Sequence, residues 1–290
     1  MSLPRRILED KFRRFVEEDV GHGDITTSSV VPFGTVAEAE VVAKEKGVVA
    51  GLEESLVFAQ AFGLRAQALV KDGSNVRPKT KILRIEGDAA TILTIERTLL
   101  NLLSRMSGIA TCTNRLVEKV HGAGCRSRVS ATRKVAPGMA YFDKKAVVVG
   151  GGDAHRWGLD DMILIKDNHL AVVGSIKDAV ARAREKASFS KKIEIEVSKV
   201  SDVLATARAQ VDIIMLDNFT ARQVQEAIDL LKKHKLRDKI LVEASGGINE
   251  NNILEYAATG VDIISLSEIT QYAKPLDVSL EITNVRKLGS

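Results

Sequence analysis

KIEIEVSKVSDVLATARAQVDIIMLDN, residues 192–218, holds two short apolar runs that close on Glu196 and Asp217, with a helical stretch from Val200 to Gln210 between them. Isoleucines alternating with polar residues mark the first run as a strand, and the second is a buried strand of the same length. Strand, helix, strand in this order implies parallel pairing. The same rhythm extends in both directions. RSRVSATRK (126–134) and MILIKDN (162–168) precede it, and KILVEASGG (239–247) and DIISLSE (262–268) follow. Helical stretches are expected at 176–186, 221–234 and 251–259, with Thr220 and Asn249 placed to cap the last two. Six such strands in this length suit a βα barrel better than an open doubly wound sheet.

Outside this region the pattern changes. Ile7 to Val20 carries Ile7, Leu8, Phe12, Phe15 and Val16 at helical spacing, and the glycine- and threonine-rich segment GHGDITTSSVVPFGT after it reads as an ordered loop. AEAEVVAKEKGVVAG (37–51) alternates as half-buried strands do, with further strand-like runs at 66–70 and 81–85. Ile92 to Val120 is strongly helical, with an interruption expected at Gly108. These features predict an α+β unit over 1–110, a barrel over 111–274, and a strand in 275–290 that returns to the first unit's sheet.

The apolar fraction of 45% and charged fraction of 28% are those of a globular protein. Forty-two basic and 38 acidic residues leave a net charge of +4, too balanced for a protein that coats nucleic acid. No run approaches membrane-spanning length, and the charged first twenty residues do not resemble a signal peptide. Cys112 and Cys125 lack metal-site or disulfide spacing, which fits a reducing, cytoplasmic setting.

A βα barrel gathers its active site at the carboxyl ends of its strands. Those ends carry Arg133 and Lys134, then Lys166, Glu196, Asp217, Glu243 with Ser245, and Ser265 with Ser267. The segment Ala131–Leu170 adds His155 and Arg156 beside three glycines, an arrangement suited to a multiply negative ligand because guanidinium groups pair with carboxylate or phosphate. Glu194 and Glu196 share the inward face of their strand, so Glu196 and neighbouring Asp217 are candidate magnesium ligands, with an ion pair to Lys134 or Lys166 as the structural alternative. Ser245, Gly246 and Gly247, followed by a helix, predict a phosphate-binding turn. GGGDAHRWGLDD lacks the strand and helix context of a dinucleotide fingerprint, and no GxSxG elbow is present.

Taken together, ERTLLNLLSRMSGIAT, ATRKVAPG, GGGDAHRWGLDDMILIKDNHL, IEIEVS, MLDN and EASGGI, with EEDVGHGDITT and GVVAGLEE before them, resemble the quinolinate phosphoribosyltransferase family over nearly the whole chain. The resemblance implies an N-terminal α/β sandwich and an open, seven-stranded βα barrel of the type II phosphoribosyltransferase kind. It further implies a homo-oligomer, a dimer or hexamer, acting on quinolinate and phosphoribosyl pyrophosphate with Mg2+ in NAD synthesis. By the same resemblance quinolinate is held by Arg133, Lys134, His155, Arg156 and by Arg97 donated from a neighbouring subunit. The catalytic set is Lys134, Lys166, Glu196 and Asp217, and the phosphate site Ser245, Gly246, Gly247 and Ser267.

Two positions depart from the family pattern. Ala154 stands where an asparagine is common, and Glu268 where a small residue is common, so an acidic side chain is expected near the ribose phosphate unless it points away. These departures keep open a same-fold transferase for another aromatic acid, such as the molybdenum-gene-associated homologues. A different class would use Lys166 as a Schiff-base lysine, and a third would be an anion-binding module without turnover.

Overall fold

A computed structural model describes residues 3–287; the ends of the ranges 1–110 and 275–290, at residues 1–2 and 288–290, lie outside the described residues. The chain begins with helices α1 (Arg5–Val20) and α2 (Ile25–Val30), strands β1 (Thr35–Ala43) and β2 (Gly47–Val48), and helix α3 (Leu52–Ala61). Strands β3 (Arg65–Ala68), β4 (Asn75–Val76) and β5 (Lys81–Asp88) lead into the long helix α4 (Ala89–Gly122). From there the order is β6 (Arg128–Ser130), α5 (Ala140–Val149), β7 (Ile163–Ile165), α6 (Asp167–Val173), α7 (Ile176–Lys186), β8 (Ile193–Val197), α8 (Val200–Arg208) and β9 (Ile213–Asp217). Helix α9 (Ala221–Lys233), β10 (Leu241–Ser245), α10 (Ile253–Ala257), β11 (Ile263–Ser265), α11 (Glu268–Gln271) and β12 (Val278–Lys287) complete it.

Two compact units result, one of residues 1–112 with 273–290 and the other of residues 113–272. In the first, an antiparallel sheet has the order β12-β1-β5-β3, so the last strand pairs with the first. Alternation on β1 turns Ala37, Ala39 and Val41 into the core, where α1 contributes Leu8, Phe12 and Val16. The Phe12 ring meets Phe58 of α3 at 4.8 Å between centroids. Glu40 is buried in the same sheet because Lys81 and Arg84 reach its carboxylate at 2.6 and 3.0 Å, and these hydrogen bonds hold its pKa below the usual range.

The glycine- and threonine-rich segment is not wholly loop: Asp24 accepts hydrogen bonds from the Thr27 amide and hydroxyl, capping the short helix α2. Helix α4 also differs from expectation, since it runs unbroken through Gly108. That glycine is required by packing, because a Cβ would strike the Lys274 carbonyl and stand 2.8 Å from Pro275 Cα.

The second unit is built on a parallel sheet of order β6-β11-β10-β9-β8-β7. All six strand-like runs of the sequence appear in it. A seventh position lies outside β6, where Ser130 and Asp153 form a parallel bridge and the Ala131 and Asp153 amides donate to Asp153 and Val129 carbonyls at 2.8 Å. No ladder joins the Asp153 segment to β7 among the described residues, so the barrel is open there. Gly152 permits this close approach, as a Cβ would stand 2.7 Å from Thr113 Cγ2 and 2.9 Å from Val147 Cγ1.

Candidate active site

The carboxyl ends of the barrel strands enclose a cleft of about 540 Å³. Adjacent strands align Asp217 with Ser245, Ser245 with Ser265, and Ser265 with Ser130, so their ends lie at one level. The loop after β6 brings Arg133 and Lys134 to the cleft wall, and the segment after Asp153 brings His155 and Arg156. Lys166 follows β7, Glu196 and Asp217 come from β8 and β9, and Ser245–Gly247 and Ser267 close the other side. The positive and negative groups therefore occupy different strands of one rim. Arg97 is not among the cleft's lining residues; it belongs to α4 in the first unit.

At the cationic side, His155 takes the left-handed backbone conformation with φ 54°, unusual for a residue with a side chain, and its amide is held by Asp153 Oδ1 at 2.8 Å. Its Nε2 lies 2.9 Å from Glu243 and 3.5 Å from Glu194, both carboxylates being fully buried. Burial opposes a charge on the imidazole, but the two glutamates outweigh it and raise its pKa to about 10. Burial and the nearby Glu243 push Glu194 upward in turn. His155 is thus an imidazolium at neutral pH. With Nε2 donating to Glu243, the imidazolium carries a second N–H on Nδ1.

Lys144, which the sequence reading passed over, supports this wall from behind. It is 1% exposed, and its ammonium donates to the carbonyls of Ala154 and Arg156 at 2.6 and 2.7 Å, on either side of His155. Burial and the proximity of Arg133 and Arg156 lower its pKa to about 8. The available signal was a charged run, Asp143 with two lysines, set in an otherwise largely apolar helix, AYFDKKAVVV. Ala154 accepts from Lys144 through its backbone carbonyl, a contact independent of its side chain, and its methyl is buried.

At the opposite side, Lys166 Nζ pairs with the Glu196 carboxylate, the ion pair anticipated as the structural alternative. Asp217 accepts from Asn218 Nδ2 at 2.7 Å, and burial together with the Glu196 charge raises its pKa. The two carboxylates are close enough for the Glu196 charge to act on Asp217, and they are hard oxygen donors of the kind a divalent cation takes. Gly246 and Gly247 have φ of 91° and 64°, and a Cβ on Gly246 would stand 2.9 Å from the Asn218 amide. At Ser245–Gly247 the phosphate expectation therefore rests on the turn itself and not on a helix N-terminus. Asn249 does not cap a helix, since α10 starts only at Ile253 and the Asn249 side chain accepts from the Asn251 amide. Thr220 does cap α9, with Gln223 completing a capping box.

The C-terminal domain of quinolinate phosphoribosyl transferase matches residues 109–281, and its N-terminal domain matches residues 24–107. A Methanothermobacter thermautotrophicus protein named "Probable nicotinate-nucleotide pyrophosphorylase (carboxylating)" is 44% identical over 277 residues, covering 96% of this chain and 99% of its own. The nicotinate-nucleotide pyrophosphorylase (carboxylating) of Rattus norvegicus is 35% identical over 280 residues, covering 97% and 92%. Among solved structures, NadC from Streptococcus pyogenes superposes with a TM-score of 0.89 at 35% identity over the full length of both chains. By sequence and by fold, then, the chain belongs to the quinolinate phosphoribosyltransferase family.

Proposed function

We propose that the chain is a decarboxylating phosphoribosyltransferase that converts quinolinate and phosphoribosyl pyrophosphate into nicotinate mononucleotide, pyrophosphate and carbon dioxide, as a pentosyltransferase of NAD synthesis. The observation that carries the reading is the division of one cleft between a cationic wall of Arg133, Lys134, His155 and Arg156 and an acidic and glycine-rich wall of Glu196, Asp217 and Ser245–Gly247. A ring flanked by two carboxylates fits the first wall, where guanidinium and imidazolium donors fix both its charge and its orientation. The ribose donor fits the second, with its 5′-phosphate on the amides of the Ser245–Gly247 turn and on Ser267.

In this pose the ring nitrogen uses its lone pair to form a bond to the anomeric carbon, while the carbon–oxygen bond to pyrophosphate breaks and the leaving group keeps the electron pair. Positive charge that develops on the ribose is favoured by the Glu196 and Asp217 carboxylates, and Lys134 and Lys166 offset the charge of the departing pyrophosphate. The nitrogen is then cationic. When the adjacent carboxylate leaves as carbon dioxide, the electron pair of the broken carbon–carbon bond stays on the ring carbon beside that nitrogen and takes a proton from solvent. Mg2+ bound by Glu196 and Asp217 would supply further positive charge for the phosphates. The chain's contribution is positioning and electrostatics, with no covalent nucleophile.

The pairing of Lys166 with Glu196 counts against a Schiff-base mechanism, which needs a neutral, desolvated amine. The proposal includes a homo-oligomer, at least a dimer, in which Arg97 reaches the neighbouring subunit's cleft, and a cytoplasmic location. No helix among the described residues is long and apolar enough to cross a membrane.

The test is turnover by the purified chain with phosphoribosyl pyrophosphate, Mg2+ and either quinolinate or nicotinate. Quinolinate is expected to give equal amounts of nicotinate mononucleotide, pyrophosphate and carbon dioxide, and nicotinate little product. Equal or exclusive use of nicotinate, or of another aromatic acid, would overturn the substrate assignment.

A further inference from the structure

We propose that Glu268 is a positioning residue that clamps the turn after β10 in its anion-binding shape, an inference that rests on the phosphate assignment above. An acidic side chain one residue from Ser267 would repel a phosphate if it faced the cleft. Its carboxylate is instead engaged elsewhere: Oε2 accepts the backbone amide of Glu250 at 3.0 Å. Glu268 opens α11, whose Thr270 hydroxyl donates to the Lys134 carbonyl at 2.8 Å. This four-residue helix therefore touches the loop after β10 at one end and the cationic loop after β6 at the other.

Glu250 is held from a second side as well. Lys119 Nζ donates to its carbonyl at 2.5 Å, and Arg115 Nη2 meets its carboxylate at 2.8 Å, both from α4. Glu250 thus has its amide, carbonyl and side chain all engaged. Two residues on, Asn252 passes this fixation back to the glycines, donating to the Gly247 carbonyl at 3.1 Å while accepting the Asn249 amide at 2.8 Å. The path from Glu268 through Glu250 and Asn252 to Gly247 is continuous. It matters because Gly246 and Gly247 have no side chains to anchor them and sit in left-handed conformations that a free loop would leave readily. A carboxylate suits the role, since charged acceptors bind an amide more strongly than neutral ones.

The experiment compares the full-length wild type with Glu268→Ala and Glu268→Gln. It measures phosphoribosyl pyrophosphate binding by calorimetry, KM for both substrates, and hydrogen exchange at the Glu250 amide. Glu268→Ala is expected to weaken phosphoribosyl pyrophosphate binding about tenfold, the scale of one charged hydrogen bond, with the quinolinate KM changed less than about twofold. Glu268→Gln keeps an acceptor oxygen and is expected to stay within about threefold of wild type. Glu250 exchange should quicken in the alanine variant and remain slow in the glutamine variant. Unchanged donor binding in Glu268→Ala, an equal rise in both KM values, or a glutamine variant as impaired as alanine would each overturn the clamp. Wild-type protein that fails to bind the donor at all would instead overturn the phosphate assignment itself, whereas unaltered Glu250 exchange in Glu268→Ala would remove the clamp whatever the ligand.

Discussion

Lys144 shows how much of an anion site lies outside its lining. A buried ammonium is costly, and here two carbonyls on either side of His155 share that cost while Arg133 and Arg156 add to it. The neutral amine still has two hydrogens for the same two carbonyls, so titration removes charge without removing the scaffold. As pH rises through about 8 the cleft therefore loses one positive charge, and as it rises through about 10 it loses that of His155. A dianion binds the protonated forms better, so the wild-type quinolinate KM is expected to climb above pH 8 and again near pH 10. Lys144→Met leaves both carbonyls without a donor, at a cost of about 1–3 kcal/mol each. It is expected to raise the quinolinate KM about tenfold or more at pH 7 and to abolish the rise near pH 8. A variant whose KM still rises there would assign that titration to another group.

Helix α4 poses an element-scale contest between propensity and packing. Replacing a mid-helix glycine by alanine gains about 1 kcal/mol in an exposed helix. At Gly108 the added methyl would meet backbone atoms of Lys274 and Pro275, which cannot swing aside as a flexible side chain would. Overpacking of this kind costs about 1–3 kcal/mol and should win. Gly108→Ala is therefore expected to lower stability by up to about 2 kcal/mol, read from the urea midpoint at unchanged slope; a stabilised variant would show that the segment after Ala273 yields. The same residue marks where sequence reasoning stops. Period-2 and period-3.6 patterns revealed the six parallel strands and helices α7 to α9, because burial of one face is written in consecutive residues. The Gly108 contact depends on a segment more than 160 residues away, and no local pattern carries it. The cleft divides in the same manner. Strand ends identified Lys166, Glu196 and Asp217 as candidates, since each closes a strand-like run, and Arg133 was identified by its place in the loop just after β6. Lys144 was hidden in a helix, where a lysine ordinarily faces water, and the direction of the Glu268 side chain is set by a loop that is not its neighbour in sequence.

At the scale of the whole molecule, Arg97 is the residue whose proposed role a single chain's cleft does not include. It belongs to the first unit, while every residue of the cleft belongs to the second. If Arg97 serves a neighbour's cleft, each active site draws on two chains, and two inactive variants can repair one another. Arg97→Ala homodimers would lack the donated guanidinium in both sites, and Glu196→Ala homodimers would lack the acidic group in both. A mixed dimer behaves differently. One of its sites combines an intact Glu196 with the intact Arg97 of the other chain, and the second site carries both defects. Random re-pairing makes half of the dimers mixed, so unfolding and refolding the two variants together is expected to restore roughly a quarter of wild-type turnover. The same variants refolded separately and then combined should stay inactive until subunits exchange. Recovery no greater than the sum of the separate variants would place Arg97 in its own chain's site, or outside the reaction, and would remove the need for an oligomer from the catalytic scheme.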